Sequence, residues 1–138
     1  MSEPRTRSSL RYSLLTVAAI LAGLAFAAAM LPRGFSDDLS RIGGGANVAV
    51  LVHNRNSAQS LELMSLVNAV RSDYAGKAEF LVADIDSDSG KAFVREQRPG
   101  DSILVFFGPK GTRRGAINRI KDEKELRQAL DAAFGLRQ

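Results

Sequence analysis

The sequence contains no cysteine. That excludes disulfides, thiolate metal sites and thiol chemistry, whichever compartment the chain occupies. Tryptophan is also missing, and most of the seven phenylalanines fall inside apolar runs. A nucleic-acid binder usually presents a strongly basic face with aromatic platforms. The formal net charge of +4 does not supply one. Arg5, Arg7 and Arg11 against Glu3 place +2 of it before residue 12, so only +2 remains for the rest. Nucleic acid is therefore excluded as a partner. With 45% apolar residues the chain is not a disordered one, and 138 residues allow one ordinary domain plus a short targeting or anchoring segment.

The first such segment is plain. No charged residue occurs from Tyr12 to Leu31, where Leu, Ala, Val, Ile, Phe and Met dominate. A helix of that length spans about 30 Å, the thickness of a hydrocarbon core. Residues 1–11 form a basic N-terminal segment that places the N-terminus in the cytoplasm, and residues 12–31 a transmembrane anchor or signal segment. Cleavage is the competing reading, since Ala25-Phe26-Ala27 and Ala27-Ala28-Ala29 both supply small residues. Against it, the apolar run is long and continues through Met30 and Leu31. Both readings put the rest of the chain outside the cytoplasm: an uncleaved anchor makes a single pass through a bacterial inner membrane with the domain in the periplasm or at the cell exterior, and a cleaved segment leaves that domain secreted.

Residues 32–46, with Pro32 and Gly43-Gly44-Gly45, read as a flexible linker. Residues 47–138 read as one domain. Val48 to Val52 is an unbroken apolar run, the pattern of a strand buried on both faces. Asn56 and Gln59 suggest a capping box for a helix that runs to about Tyr74, with Leu63, Met64, Val67 and Val70 in one stripe. Ala75-Gly76-Lys77 stops it. Ala78 to Ile85 is a second strand, Asp86 to Ser89 a turn, and Gly90 to Gln97 a short helix ended by Pro99. Ile103 to Phe107 is a third strand. Gly108-Pro109-Lys110-Gly111 turns into an edge strand, Thr112 to Ile120, which carries Arg113, Arg114 and Arg119. Asp122 and Glu125 form a capping box for a last helix, whose face is Leu126, Ala129, Leu130, Ala133 and Phe134. Strands joined by a helix imply a parallel crossover, and the glycine-containing turn an antiparallel hairpin. The expectation is an α/β domain of order β-α-β-α-β-β-α, a mixed four-stranded sheet with flanking helices, preceded by one transmembrane helix.

That order, over roughly Asn47 to Phe134, resembles the thioredoxin fold. Tyr74-Ala75-Gly76-Lys77 leading into a strand that ends Asp84-Ile85-Asp86 is similar to the family's helix-to-strand passage. Ile103-Leu104-Val105-Phe106-Phe107 with its turn resembles the penultimate strand and hairpin. Laid back without gaps from Tyr74, the resemblance puts Ser57-Ala58-Gln59-Ser60 where the redox Cys-x-x-Cys would sit. The tryptophan before it is Asn56, the buried acid of the first strand is Leu51, and the lysine that accompanies that acid is Val82. The cis-proline position falls at Ser102, with Pro99 three residues early. A buried acid and lysine are costly to keep without a reaction that needs them. Their loss together with the thiols implies a naturally degenerate, redox-inactive member.

Other chemistry finds little support in the sequence. Ser57 and Ser60 at a helix N-terminus, with His53 upstream, lack the orienting acid, the oxyanion hole and a Gly-x-Ser-x-Gly signature. They read as capping residues, and His53 as a strand end at the surface. Asp84, Asp86 and Asp88 resemble the start of a calcium loop, but position six is Ser89 and position twelve Arg95. No metal and no cofactor is expected. Lys110, Arg113, Arg114, Arg119 and Lys121 read as edge protection or as a docking surface for an acidic partner or anionic lipid. The function expected is a membrane-tethered protein-interaction or assembly module and not an enzyme. Its partner-binding residues are His53, Arg55, Asn56, Arg113, Arg114 and Arg119, and the partner is a protein not identified by the sequence. The alternatives are an accessory subunit of a thiol-redox or metal-delivery pathway with its chemistry on a partner, or an unrecognised enzyme.

Overall fold

The computed structural model describes residues 6–30 and 34–136. The expectations for residues 1–5, for Leu31 and Pro32, and for the last two residues of the domain lie outside them. Two units emerge, Met1–Gly34 and Phe35–Gln138. In the first, α1 (Thr6–Met30) is continuous, and its side chains from Arg11 to Ala28 are exposed, Leu14, Leu21 and Phe26 among them. A helix apolar on all faces suits a lipid surround. Among the described residues it is the one helix long and apolar enough to cross a membrane.

The second unit contains β1 (Val48–His53), α2 (Ala58–Val70), β2 (Glu79–Asp84), α3 (Asp88–Gln97), β3 (Leu104–Phe107), β4 (Arg113–Ile117) and α4 (Glu123–Phe134). The strands form one sheet in the order β2-β1-β3-β4. β1 and β2 are parallel, as a helical crossover requires, whereas β3 is antiparallel to both β1 and β4. The β2-α3-β3 connection is thus not a parallel crossover. The expected mixed sheet is present, with one parallel pair.

Alternation along the strands divides the core into two layers. Ala49, Leu51, Leu104 and Phe106 meet Leu63, Val67 and Val70 of α2 and Leu126, Leu130 and Phe134 of α4. On the opposite face Val48, Val50, Val105 and Phe107 meet Phe93 of α3. Both faces of β1 are therefore covered, which is why its sequence is apolar without a break. Edge-to-face contacts fasten each layer, Phe106 on Phe134 at 5.6 Å and Phe93 on Phe107 at 6.0 Å between ring centroids.

Several boundaries move by a residue or more. α2 is capped by Ser57, whose hydroxyl accepts the Ser60 N–H, and not by an Asn56–Gln59 box. Asn56 instead donates its N–H to the Asn54 side chain in a tight turn one step earlier. The helix gives way at Arg71 to a 3-10 turn ending at Tyr74. α3 begins at Asp88 because Ser87 caps it, and it ends at Arg98 in a left-handed conformation just before Pro99. β4 stops at Ile117, short of Ile120. α4 is capped by Asp122 as expected, although Glu125 reaches back to the Lys121 N–H and not to that of Asp122.

The largest correction concerns the linker. Residues 35–46, expected as a tether, lie against the domain. Ser36 forms a bridge with Leu81 and accepts the Val82 N–H, while Leu39 and Ile42 cover the α3-side layer. Phe35 sits 4.8 Å below the Arg71 guanidinium. Gly43 and Gly111 approach so closely that a Cβ on Gly111 would stand 3.3 Å from the Gly43 Cα, and the Gly45 N–H donates to Pro109 O. Three scattered apolar residues in a Gly- and Ser-rich stretch suffice to seat it, a pattern too sparse for periodicity to reveal.

A polar network ties α4 to the end of α2. The Tyr74 ring is buried, and its hydroxyl donates to Asp131 at 2.8 Å. Burial first, then the bond to Asp131, pushes its pKa up to about 12. A group that holds its proton more tightly when folded contributes stability below its unfolded value, and loses it as pH rises through the folded one. Stability should therefore decline between about pH 10 and pH 12 by roughly 1–2 kcal/mol, allowing for solvent at the hydroxyl. In Tyr74→Phe that decline should be absent, which alkaline urea titration of both proteins would reveal.

Candidate functional site

The C-terminal end of β1 delivers the chain into the loop 54–57 and then into α2. The Asn54 side chain accepts the Asn56 N–H, and its carbonyl accepts the Ser57 N–H, which turns the backbone so that Ser57 can cap the helix. Ser60, one turn on, is 4% exposed. Its hydroxyl accepts the Asn54 N–H at 3.1 Å and lies 2.7 Å from His53 Nδ1. Strand end, loop and helix start are thus pinned at one oxygen.

This corrects the reading of His53 as a surface strand end: it is half-buried and in contact with Ser60. The pair still lacks what a nucleophile needs. Ser60 is closed off from solvent and already accepts a backbone N–H, and among the described residues no acid bonds to the His53 ring. Asp84 is its neighbour across the parallel ladder, but that carboxylate is spent otherwise. It accepts the Asp86 N–H at 2.9 Å and two Arg55 N–H groups at 2.8 and 3.0 Å. The backbone bond, then Arg55, holds the carboxyl below its usual range. Its contribution to stability is therefore lost only as pH falls below about 3.9, the ordinary aspartate value. Those same bonds turn the Asp84/Asp86/Asp88 series into a strand end. Among the described residues no group of three or more His, Asp or Glu side chains could hold a metal ion.

A cleft of about 780 Å³ opens beside Ser57 and Ser60. Gly100, Asp101, Ser102, Asn118 and Arg119 line it as well. Val52, Ile85 and Ile103 supply apolar lining. Gln59 crosses to donate to Asn118 O at 2.9 Å, which couples the first turn of α2 to the segment after β4. The structure thus brings Ser57, Gln59, Ser60, Ser102 and Arg119 to one place. Ala58 and Asn56 are exposed outside it, His53 stands behind Ser60, Arg55 is drawn to Asp84, and Arg113 and Arg114 lie apart on β4. Sequence reasoning missed Asn118 and the Gly100-Asp101 turn. Neither belongs to a motif, and only the β3–β4 hairpin and the Gln59 bond carry Asn118 to the site. Every peptide bond among the described residues is trans, including the one at Ser102.

The two serines should behave differently on truncation. Ser57→Ala removes a cap, worth about 1 kcal/mol. Ser60→Ala strands the Asn54 N–H and the His53 ring beneath it, and should cost about 1–3 kcal/mol. Equal midpoints in urea for the two variants would show that Ser60 is not the pin described.

Comparison with known proteins agrees with this architecture. In fold the chain is similar to oxidised thioredoxin O2 from Arabidopsis thaliana, with a TM-score of 0.58 and 14% identity, over 70% of this chain and 83% of that one. No protein-family profile and no curated sequence matches it. At such low identity the likeness speaks for the fold alone. The domain therefore has a thioredoxin-like fold, and a chain without cysteine has no thiol chemistry available to it.

Proposed function

We propose that this chain is a membrane-tethered, redox-inactive thioredoxin-like module that binds an extended polypeptide in the cleft between the Ser57–Ser60 turn and Ser102. The observation that supports it is the cleft itself. Its lining combines hydroxyl and amide groups suited to peptide N–H and C=O with Val52, Ile85 and Ile103, which suit an apolar side chain. α1 would anchor the module as a single pass in a bacterial inner membrane, N-terminus in the cytoplasm and domain in the periplasm. That arrangement raises its effective concentration near a membrane complex or an exported client. It acts by binding and not by turnover.

A photo-crosslinking residue at Ser102, in the full chain in its native membrane, should capture a discrete polypeptide, and the same residue at Lys124 on α4 should not. Ser102→Trp, which fills the cleft, should abolish capture at a crosslinker moved to Asn118. Capture from Lys124 alone would refute the cleft, and a turnover lost in Ser57→Ala would make the protein an enzyme. The absence of native cysteine makes the topology simple to test. A membrane-impermeant maleimide should label Lys124→Cys in intact spheroplasts and leave Ser8→Cys untouched.

A further inference from the structure

The sheet has two edges, β2 and β4, and the chain treats them differently. Along β2 the chain covers its own edge. Ser36 bridges to Leu81 and accepts the Val82 N–H at 2.9 Å, and Arg41 reaches Glu79 at 3.4 Å. Along β4 no strand or bridge lies outside Arg113–Ile117 among the described residues. An uncovered edge presents unpaired N–H and C=O groups and pairs readily with another extended chain.

Charge identifies which chain. Between Gly108 and Lys121 stand Lys110, Arg113, Arg114, Arg119 and Lys121, with no Asp or Glu among them. Cationic side chains can protect an edge by lying over it, but the two on β4 itself do not. Arg113 turns onto the α3 face, where its guanidinium donates to Gln97 O at 2.5 Å. Arg114 folds back over the hairpin, where a Cβ on Gly108 would stand 2.8 Å from its Nε. Among the described residues no strand or bridge pairs with the outer side of β4, and the strand contains no proline. A second copy of this chain is a poor occupant, because antiparallel β4–β4 pairing would set this basic strip against itself.

We infer that the β4 edge is a strand-addition site for an extended, acidic polypeptide segment, separate from the cleft. Main-chain pairing supplies affinity, and the flanking cations select glutamate- and aspartate-rich sequence and speed its encounter. The inference does not rest on the cleft reading.

The test uses the full chain in neutral phosphatidylcholine nanodiscs and a labelled extended peptide of alternating glutamate and valine. Binding by fluorescence anisotropy should be saturable and weaken as salt is raised. It should fall by about tenfold or more, some 1.4 kcal/mol, when alternate peptide nitrogens are methylated along one edge. Amide exchange should slow within 113–117 on binding. The charge reversal R113E/R114E should cause a comparable loss, and its unchanged melting would show that the fold survives. Equal binding by the methylated peptide would overturn strand addition, and the wild-type protein suffices for that arm. Protection at Ser102 and Asn118 instead of β4 would credit the cleft and sink the edge. Tight association with anionic vesicles that the peptide cannot compete away would make the basic strip a lipid-facing surface.

Discussion

Leu51→Asp should destabilise the domain by about 3–5 kcal/mol, the cost of an uncompensated buried charge. That is a fall of roughly 15 °C or more in Tm for a domain of this size. Leu51 is 1% exposed, between Leu63 of α2 and its neighbours in the sheet. It also occupies the position at which the thioredoxin resemblance expects a buried acid. The structure adds that Leu51 and Val82, which stands for the accompanying lysine, are partners across the β1–β2 ladder. The resemblance would set an acid and a base opposite one another here; this chain has two apolar residues instead, and an apolar pair in place of a buried ion pair is commonly neutral or stabilising. Burial would raise the new carboxyl, so the extra loss should vanish below about pH 4 and grow as pH rises. Adding Val82→Lys should restore part of the loss, a coupling a double-mutant cycle can measure. If Leu51→Asp melts within a degree or two of the parent, the site still accommodates an acid and the case for a finished loss of redox function weakens.

Gly90→Ala is the second large effect, and here local and tertiary reasoning predict opposite signs. In an exposed helix the change should stabilise by about 1 kcal/mol, since alanine is the better helix former. Yet Gly90 lies in the first turn of α3, which sits directly on the end of β2. A Cβ there would stand 1.7 Å from Asp84 O and 2.5 Å from Asp84 C. Both are backbone atoms, so no side chain can swing aside. The helix must lift from the strand, which disturbs Phe93 and the layer it fills. A cost of about 3 kcal/mol or more is expected, at or above the upper end for overpacking. Urea denaturation decides it: a midpoint raised above the parent's would mean α3 does not pack on β2 as described.

Patterns that depend on near neighbours in the chain were legible without a structure. The apolar run of β1, the face of α4 with its Asp122 cap, and the 108–111 turn each answer to a period or a cap a few residues wide. What failed lay where a contact partner is remote. Residues 35–46 look like linker because their composition is polar and Gly-rich, yet Phe35 packs against one core layer and Leu39 and Ile42 against the other. His53 looked like a surface residue because the residues after it are polar, and nothing local says that Ser60, seven positions on, turns back to meet it. Ser57 and Ser60 stand out only through the resemblance, since their spacing alone suggests no more than a cap.

Composition and periodicity were enough to establish that this protein does no thiol chemistry, that its first helix is apolar enough for a membrane, and that its domain is a mixed α/β sheet. Both are properties of the chain, and hydrophobic burial tracks them wherever the chain goes. It took the folded molecule to establish that Ser57, Ser102 and Asn118 share one cleft, that Leu51 and Val82 are partners in register, and that among the described residues one sheet edge is bridged and the other is not. Those are distances between residues far apart in sequence, set by strand order and register, and no local preference encodes them.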